Sequence, residues 1–151
     1  MVGDAKRAVA WMKATAAQYD LDPERTVVAG GSAGGHLALM VAFAPEHPQA
    51  TTGELQGADT SVCGILAFYP VVDLGSYVAY NDYAKTRIGS FEMSSSREVV
   101  PGLLGGTLEE VPGRNDLLSP CNHVNAHCPP TLLLQGNHDH IVPLGPVRSL
   151  A

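Results

Sequence analysis

Thr26-Val27-Val28-Ala29-Gly30-Gly31-Ser32-Ala33-Gly34-Gly35-His36-Leu37-Ala38-Leu39-Met40-Val41 is the stretch on which the fold turns. Four apolar or β-branched residues lead in, and an alanine/leucine-rich pattern leads out. Between them lies G-x-S-x-G, written here Gly30-Gly31-Ser32-Ala33-Gly34. A strand over 26–29 that turns at once into a helix over 33–43 needs small residues on both sides of the serine. Such a turn lifts the Ser32 hydroxyl clear of the backbone. It also aims a helix N-terminus at whatever that hydroxyl attacks. A serine that merely caps a helix in a glycine-rich turn is the bland alternative.

Working outward, residues 4–19 carry Ala5, Val9, Met12 and Ala16 at helical spacing, with Asp4 as a possible cap. Leu21-Asp22-Pro23-Glu24 is a polar connection. Residues 45–60 read as loop. Cys63-Gly64-Ile65-Leu66-Ala67-Phe68-Tyr69 reads as a second strand stopped by Pro70. Short amphipathic pieces fall at 96–104 and 107–117. Thr131-Leu132-Leu133-Leu134-Gln135 reads as a third strand, and the pattern predicts a helix beginning near Pro143. Little polar surface marks the first strand, as in parallel strands buried on both faces. The order strand, helix, strand, irregular segment, strand predicts an α/β fold: a three-layer parallel sheet with right-handed crossovers. Working residues in such sheets sit beyond the carboxyl ends of the strands. Ser32, Asp73 and Asp139 follow the three strands in turn and should share one rim.

The chain has 151 residues, 45% hydrophobic and 16% charged, with a formal charge of -6 and no basic block. Its length suits one domain. The charge disfavours nucleic acid and anionic membranes as partners. Two stretches without a formal charge, 26–45 and 117–138, approach the length of a membrane span, and Gly30-x-x-x-Gly34 fits a membrane packing motif. Glycines, a serine and a histidine in the first, and prolines in the second, argue against a span. Three scattered cysteines, Cys63, Cys121 and Cys128, form no disulfide framework. Reduced thiols and a charged helical start, unlike a signal peptide, suggest a cytoplasmic setting.

A serine hydroxyl becomes nucleophilic through a base, usually histidine, whose tautomer a carboxylate fixes. Ser32 is the candidate nucleophile. The N–H of Ala33 is the candidate oxyanion donor. Asp139, in a Gly-x-x-Asp turn with Val142-Pro143 behind it, is the candidate acid, and Asp73 is the lesser one. Either aspartate could instead bond its own loop. Cys121-x-His123-x-x-x-His127-Cys128 offers zinc-ligand types but lacks a C-x₂₋₄-C pair. Gly30-x-x-x-x-Gly35 precedes His36-Leu37 where a phosphate loop needs Lys then Ser or Thr. Neither a metal nor a cofactor is expected.

Residues 29–38 resemble the nucleophile elbow of α/β-hydrolase-fold carboxylesterases, nearest to the hormone-sensitive-lipase-like and acetyl-esterase-like families. Gly57-Ala58-Asp59-Thr60-Ser61-Val62, Phe68-Tyr69-Pro70 and Ser119-Pro120…His123-Val124 are similar to their linking segments. Pro129-Pro130-Thr131-Leu132-Leu133-Leu134-Gln135-Gly136…Asp139…Val142-Pro143 resembles the strand that carries their acid. The resemblance implies a serine hydrolase acting on small carboxylic esters through an acyl-serine intermediate. It makes Ser32 the nucleophile and Asp139 the acid, with roughly 74–118 a cap over the acyl pocket. It also casts residues 1–151 as the central-to-C-terminal part of the fold. The family order Ser, Asp, His places the catalytic histidine beyond residue 151, and the His-Gly-Gly oxyanion loop upstream. His36, His47, His123, His127, His138 and His140 would each need unusual geometry to replace that base. The alternative is a non-catalytic ligand- or partner-binding α/β protein. Unpaired edges of a three-stranded sheet would favour self-association.

Overall fold

The computed structural model describes residues 1–45, 47, 53–80, 86–88, 91–93 and 95–151. Helix α1 (Val2–Thr15) buries Val2, Lys6 and Val9 at helical spacing and continues as a 3₁₀ turn over Ala16–Tyr19. Asp4 does not cap it. Its carboxylate pairs instead with the chain's amino group at 2.8 Å and with Arg7. A short 3₁₀ turn at Pro23–Arg25, capped by the Asp22 side chain, delivers the chain into strand β1 (Val27–Gly31). Helix α2 (Ala33–Phe43) follows after one residue. Next come β2 (Gly64–Phe68), α3 (Leu74–Tyr80), β3 (Thr86–Ile88) and β4 (Phe91–Met93). The chain then forms α4 (Ser96–Leu104), α5 (Pro112–Leu118), β5 (Thr131–Leu134) and α6 (Leu144–Leu150).

The main sheet has the order β1-β2-β5, and both pairs are parallel. Gly31 lies beside Phe68, and Phe68 beside Leu134, so all three strands end level at one rim. Strands β3 and β4 form a separate antiparallel pair within the 74–118 segment. Among the described residues, helices cover one face of the main sheet. Ala38, Leu39 and Phe43 of α2 and Val147 of α6 pack there on Ile65 and Ala67, with Val28 and Leu133 beside them. The other side of α2 meets α1, where Met40 and Ala44 close on Val2. A helix apolar on every side is buried on every side, which accounts for the long uncharged run at 26–45. Lys13 ties α1 to the 57–62 loop. Its ammonium pairs with Asp59 at 2.5 Å and donates to Ser61 Oγ at 2.8 Å, and that contact holds the Asp59 carboxyl down at about 2.

Burial of β1 on both faces does not occur among the described residues. Alternate residues are exposed along β1 and β5, with Val27 at 57% and Leu132 at 58%. Phe68 and Leu134 are exposed on the same side. The strands carry the composition of a sheet covered twice, but the described helices lie on one side. A second core gathers Val71, Leu74, Val100, Leu104 and Val142. It joins α3 and α4 to the loop after β5, over the level rim.

Candidate active site

One residue separates β1 from α2, and the whole change of direction falls on it. Ser32 has φ 54 and ψ -120, a region that costs a residue with a Cβ roughly 1–3 kcal/mol. Its neighbours hold it there. Ser32 N–H donates to Phe68 O at 2.9 Å, and Ser32 O accepts from His36 N–H at 3.0 Å as α2 begins. The side chain does not cap the helix, and Ser32 Oγ has no hydrogen-bond partner among the described residues. A capping serine is therefore ruled out by geometry. Ala33, next in line, occupies the first helical position, where main-chain N–H groups have no carbonyl behind them and the helix dipole favours negative charge.

The crowded glycines are not the two that the motif suggests. A Cβ on Gly30 would lie 2.4 Å from both C and O of Gly34. A Cβ on Gly35 would lie 3.0 Å from Gly30 O and from the Pro70 side chain. A Cβ on Gly34 would meet nothing within 4 Å. The bend thus needs Gly30 and Gly35, because the strand and the helix cross at main-chain contact. Gly31 leaves room for Tyr69, whose hydroxyl would stand 2.9 Å from an added Cβ. Tyr69 also has positive φ (38) and donates its N–H to Leu134 O at 2.6 Å.

Asp139 lies in the turn after β5, half-buried. Its Oδ1 accepts from the N–H groups of Ile141 (2.8 Å) and Val142 (2.9 Å), and its Oδ2 accepts from Gln135 Nε2 at 3.0 Å. Tyr80 of α3 donates its hydroxyl to Asp139 O at 3.0 Å. Strands β1 and β5 are two spacings apart across β2, roughly 10 Å. Ser32 and Asp139 therefore leave the sheet at the same rim from strands that are not neighbours. Asp73 does something else. Its carboxylate accepts from Gly75 N–H at 3.0 Å and from Ser76 Oγ at 2.5 Å, and its carbonyl accepts from Tyr77 N–H, so it begins α3. That is the loop role weighed against both aspartates in the sequence, and Asp139 fills one as well through Ile141 and Val142.

A cavity of about 350 Å³ opens beside Ser32. Ser32, Ala33 and His36 form one side of it. Val71, Leu74, Tyr77, Val100, Leu103 and Leu118 give it an apolar wall drawn mainly from α3, α4 and α5. His36 is buried and donates Nδ1–H to Val71 O at 2.9 Å. Burial lowers its proton affinity, and the bond to Val71 only partly opposes that. Burial and the Asp139 charge both raise the Tyr77 hydroxyl above its ordinary value. His123 donates Nε2–H to Leu117 O at 2.8 Å, Cys121 Sγ lies against Asn122, and Cys128 Sγ accepts from Asn125 N–H. These side chains work as loop fastenings, and no cluster of three metal-ligand types forms among the described residues. His127, His138 and His140 are exposed, and His47 is buried near Lys6. No hydrogen bond links any histidine ring to Ser32 Oγ or to the Asp139 carboxylate among the described residues.

The BD-FAE family model matches residues 1–151. The chain belongs to the BD-FAE family, whose members are hormone-sensitive-lipase-like esterases. Its BD-FAE assignment agrees with its curated relatives. The chain is 31% identical over 148 residues to Esterase LipQ of Mycobacterium tuberculosis, covering 98% of this chain and 32% of that protein. It is 32% identical over 150 residues to the probable carboxylic ester hydrolase LipM of the same organism, covering 96% and 31%. The BD-FAE chain thus spans about a third of the length of the curated relatives it matches. Among solved structures it superposes on the butyrate-bound form of Est2, a thermophilic esterase of Thermogutta terrifontis. The TM-score is 0.71 at 28% identity, covering 99% of this chain and 48% of that one. A truncated carbohydrate esterase from gut microbiota gives a TM-score of 0.73 at 23% identity, covering 99% and 53%, and attests the fold alone. The α/β fold with its parallel three-stranded sheet is thereby that of α/β-hydrolase esterases.

Sequence reasoning missed Gln135, Tyr77 and the role of Gly35. A glutamine at a strand end and a tyrosine in a short helix carry no pattern of their own. A second glycine pair, Gly34-Gly35, just after the serine was a signal, legible only once strand and helix are seen to cross.

Proposed function

We propose that this chain supplies the nucleophile and the acid of a serine esterase acting on small carboxylic esters. Ser32 Oγ attacks the ester carbonyl and a C–O bond forms. The negative charge gathers on the carbonyl oxygen, where Ala33 N–H donates to it. The alcohol departs with the proton taken from Ser32, leaving an acyl-serine that water then hydrolyses by the same steps. A histidine outside these 151 residues carries the proton, and Asp139 fixes its tautomer. The apolar cavity beside Ser32 receives the acyl group, and residues 74–118 serve as its cap. The relative from Thermogutta terrifontis has been seen with butyrate and with propionate, which supports a short acyl chain here.

The observation that carries this reading is the positive φ of Ser32 together with its uncommitted hydroxyl. Strain held at a residue whose side chain serves no structural bond suits a reactive position. A fluorophosphonate probe tests it. The product of the full reading frame that encodes these residues should be labelled at Ser32 and lose the label in Ser32→Ala. The 151-residue chain alone should stay unlabelled. Labelling that survives Ser32→Ala would refute the assignment, and labelling of the chain alone would refute the need for an outside base. Asp139→Asn should lower kcat by about 10³–10⁴-fold, as loss of a triad acid does.

A further inference from the structure

We infer that Gln135 is a positioning residue for the Asp139 carboxylate, holding one of its oxygens ready for the histidine that the proposed mechanism requires. This rests on Asp139 being the acid. Strand β5 ends at Leu134, so Gln135 is the first residue to leave the sheet. Its Nε2 reaches across the turn and donates both hydrogens. One goes to Asp139 Oδ2 at 3.0 Å and the other to Val142 O at 3.1 Å. Both partners are acceptors, so the amide cannot be reversed without setting oxygen against oxygen.

The two carboxylate oxygens are then held by different means. Oδ1 takes two main-chain N–H groups, from Ile141 and Val142, and is filled. Oδ2 takes one bond among the described residues, from Gln135, and keeps acceptor capacity for one more donor. Main chain alone would hold Oδ1 and leave the group free to turn about its Cβ–Cγ bond. Gln135 stops that turn and so sets the direction of the free lone pair. Tyr80 fixes the same residue from the far side through its main-chain carbonyl.

A second observation separates this arrangement from ordinary loop bonding. Gln135 Oε1 is buried with no hydrogen-bond partner among the described residues. Buried polar atoms are normally satisfied, and an unsatisfied one calls for a reason. Leucine or methionine would leave no such orphan. A residue that keeps one acceptor unpaired in order to set its amino group on a carboxylate violates local stability rules in the way working sites do.

The experiment uses the enzyme encoded by the full reading frame, with p-nitrophenyl butyrate as substrate. Gln135→Met keeps the length of the side chain and removes both bonds. It should lower kcat about tenfold to a hundredfold at nearly unchanged KM, because misplacement of a reacting group falls on the chemical step. Gln135→Glu retains a donor to Oδ2 only while protonated. Its rate relative to wild type should therefore fall as pH rises, a dependence that a purely structural role would not produce. The double variant with Asp139→Asn should be no slower than Asp139→Asn alone, since Gln135 acts through that carboxylate. Wild-type kcat in Gln135→Met, or a wild-type pH profile in Gln135→Glu, would overturn the proposal while leaving Asp139 as the acid. Full activity in Asp139→Asn would overturn the underlying reading instead. Should the methionine variant fail to fold, the glutamate profile decides.

Discussion

At Ser32 the backbone adopts a conformation that a side chain with Cβ resists, and two glycines make it possible. Gly30→Ala should be severe. Its Cβ would fall 2.4 Å from the main chain of Gly34, and main chain at a strand–helix crossing has no room to withdraw. A loss of about 3 kcal/mol or more is expected in urea unfolding, above the usual cost of overpacking. Gly34→Ala, within the same motif, should be neutral or stabilise by up to about 1 kcal/mol. Open space surrounds that position, and alanine suits a helix better than glycine. Equal losses in the two variants would refute this account of the bend. His36, one turn further on, predicts a pH effect. Burial holds its folded proton affinity below the usual 6.5. The unfolded chain therefore takes the proton first. Stability is then full above about pH 6.5 and declines as pH falls toward the lowered folded value, by at most about 1.4 kcal/mol per unit for each such group. His47 is lowered in the same direction, by burial first. Urea midpoints between pH 7.5 and 5 should fall less steeply in His36→Gln than in the wild type. An unchanged slope would remove His36 from the explanation. None of this was visible in the sequence. The motif marked the serine, but which glycine is crowded depends on where the helix crosses the strand.

At the scale of elements, the helix over 33–43 and the three strands were legible to within two residues, because periodicity and turn residues are local signals. The sequence placed an aspartate after each of the second and third strands and could rank them only by context. The structure separates them by their partners. Asp73 begins α3 through its side chain and Asp139 does not begin a helix. Asp73→Ala should therefore cost about 1 kcal/mol, the usual price of a lost cap, and leave turnover near wild type. Thermal unfolding and kcat measured together check this. A loss of turnover as deep as that of Asp139→Asn would reverse the ranking. Helix α1 carries the same lesson in a smaller way. Its start was assigned to Asp4 on residue preference, yet the carboxylate is taken by the amino group and Arg7.

For the molecule as a whole, the exposed sheet face is the consequential feature. Val27, Phe68, Leu132 and Leu134 share one side of β1-β2-β5 and stand partly in solvent, beside the outer edges of β1 and β5. Contiguous apolar surface with open strand edges favours association. The isolated 151-residue chain is expected to show a mass in light scattering that rises with concentration. Val27→Lys and Leu132→Lys should lower that mass and leave the unfolding midpoint nearly unchanged, since neither residue is in the core. A monomer at all concentrations would contradict this. Composition, period and turn residues were enough for the class of fold, the order of its strands and helices, and the residue at the bend, because each is written within a few neighbouring positions. Three things were settled only by the packed chain: which face of the sheet the described helices cover, which partners each aspartate takes, and how the Asp139 carboxylate is held. Each depends on groups far apart in sequence meeting across the sheet or its rim, and no local pattern encodes such a meeting.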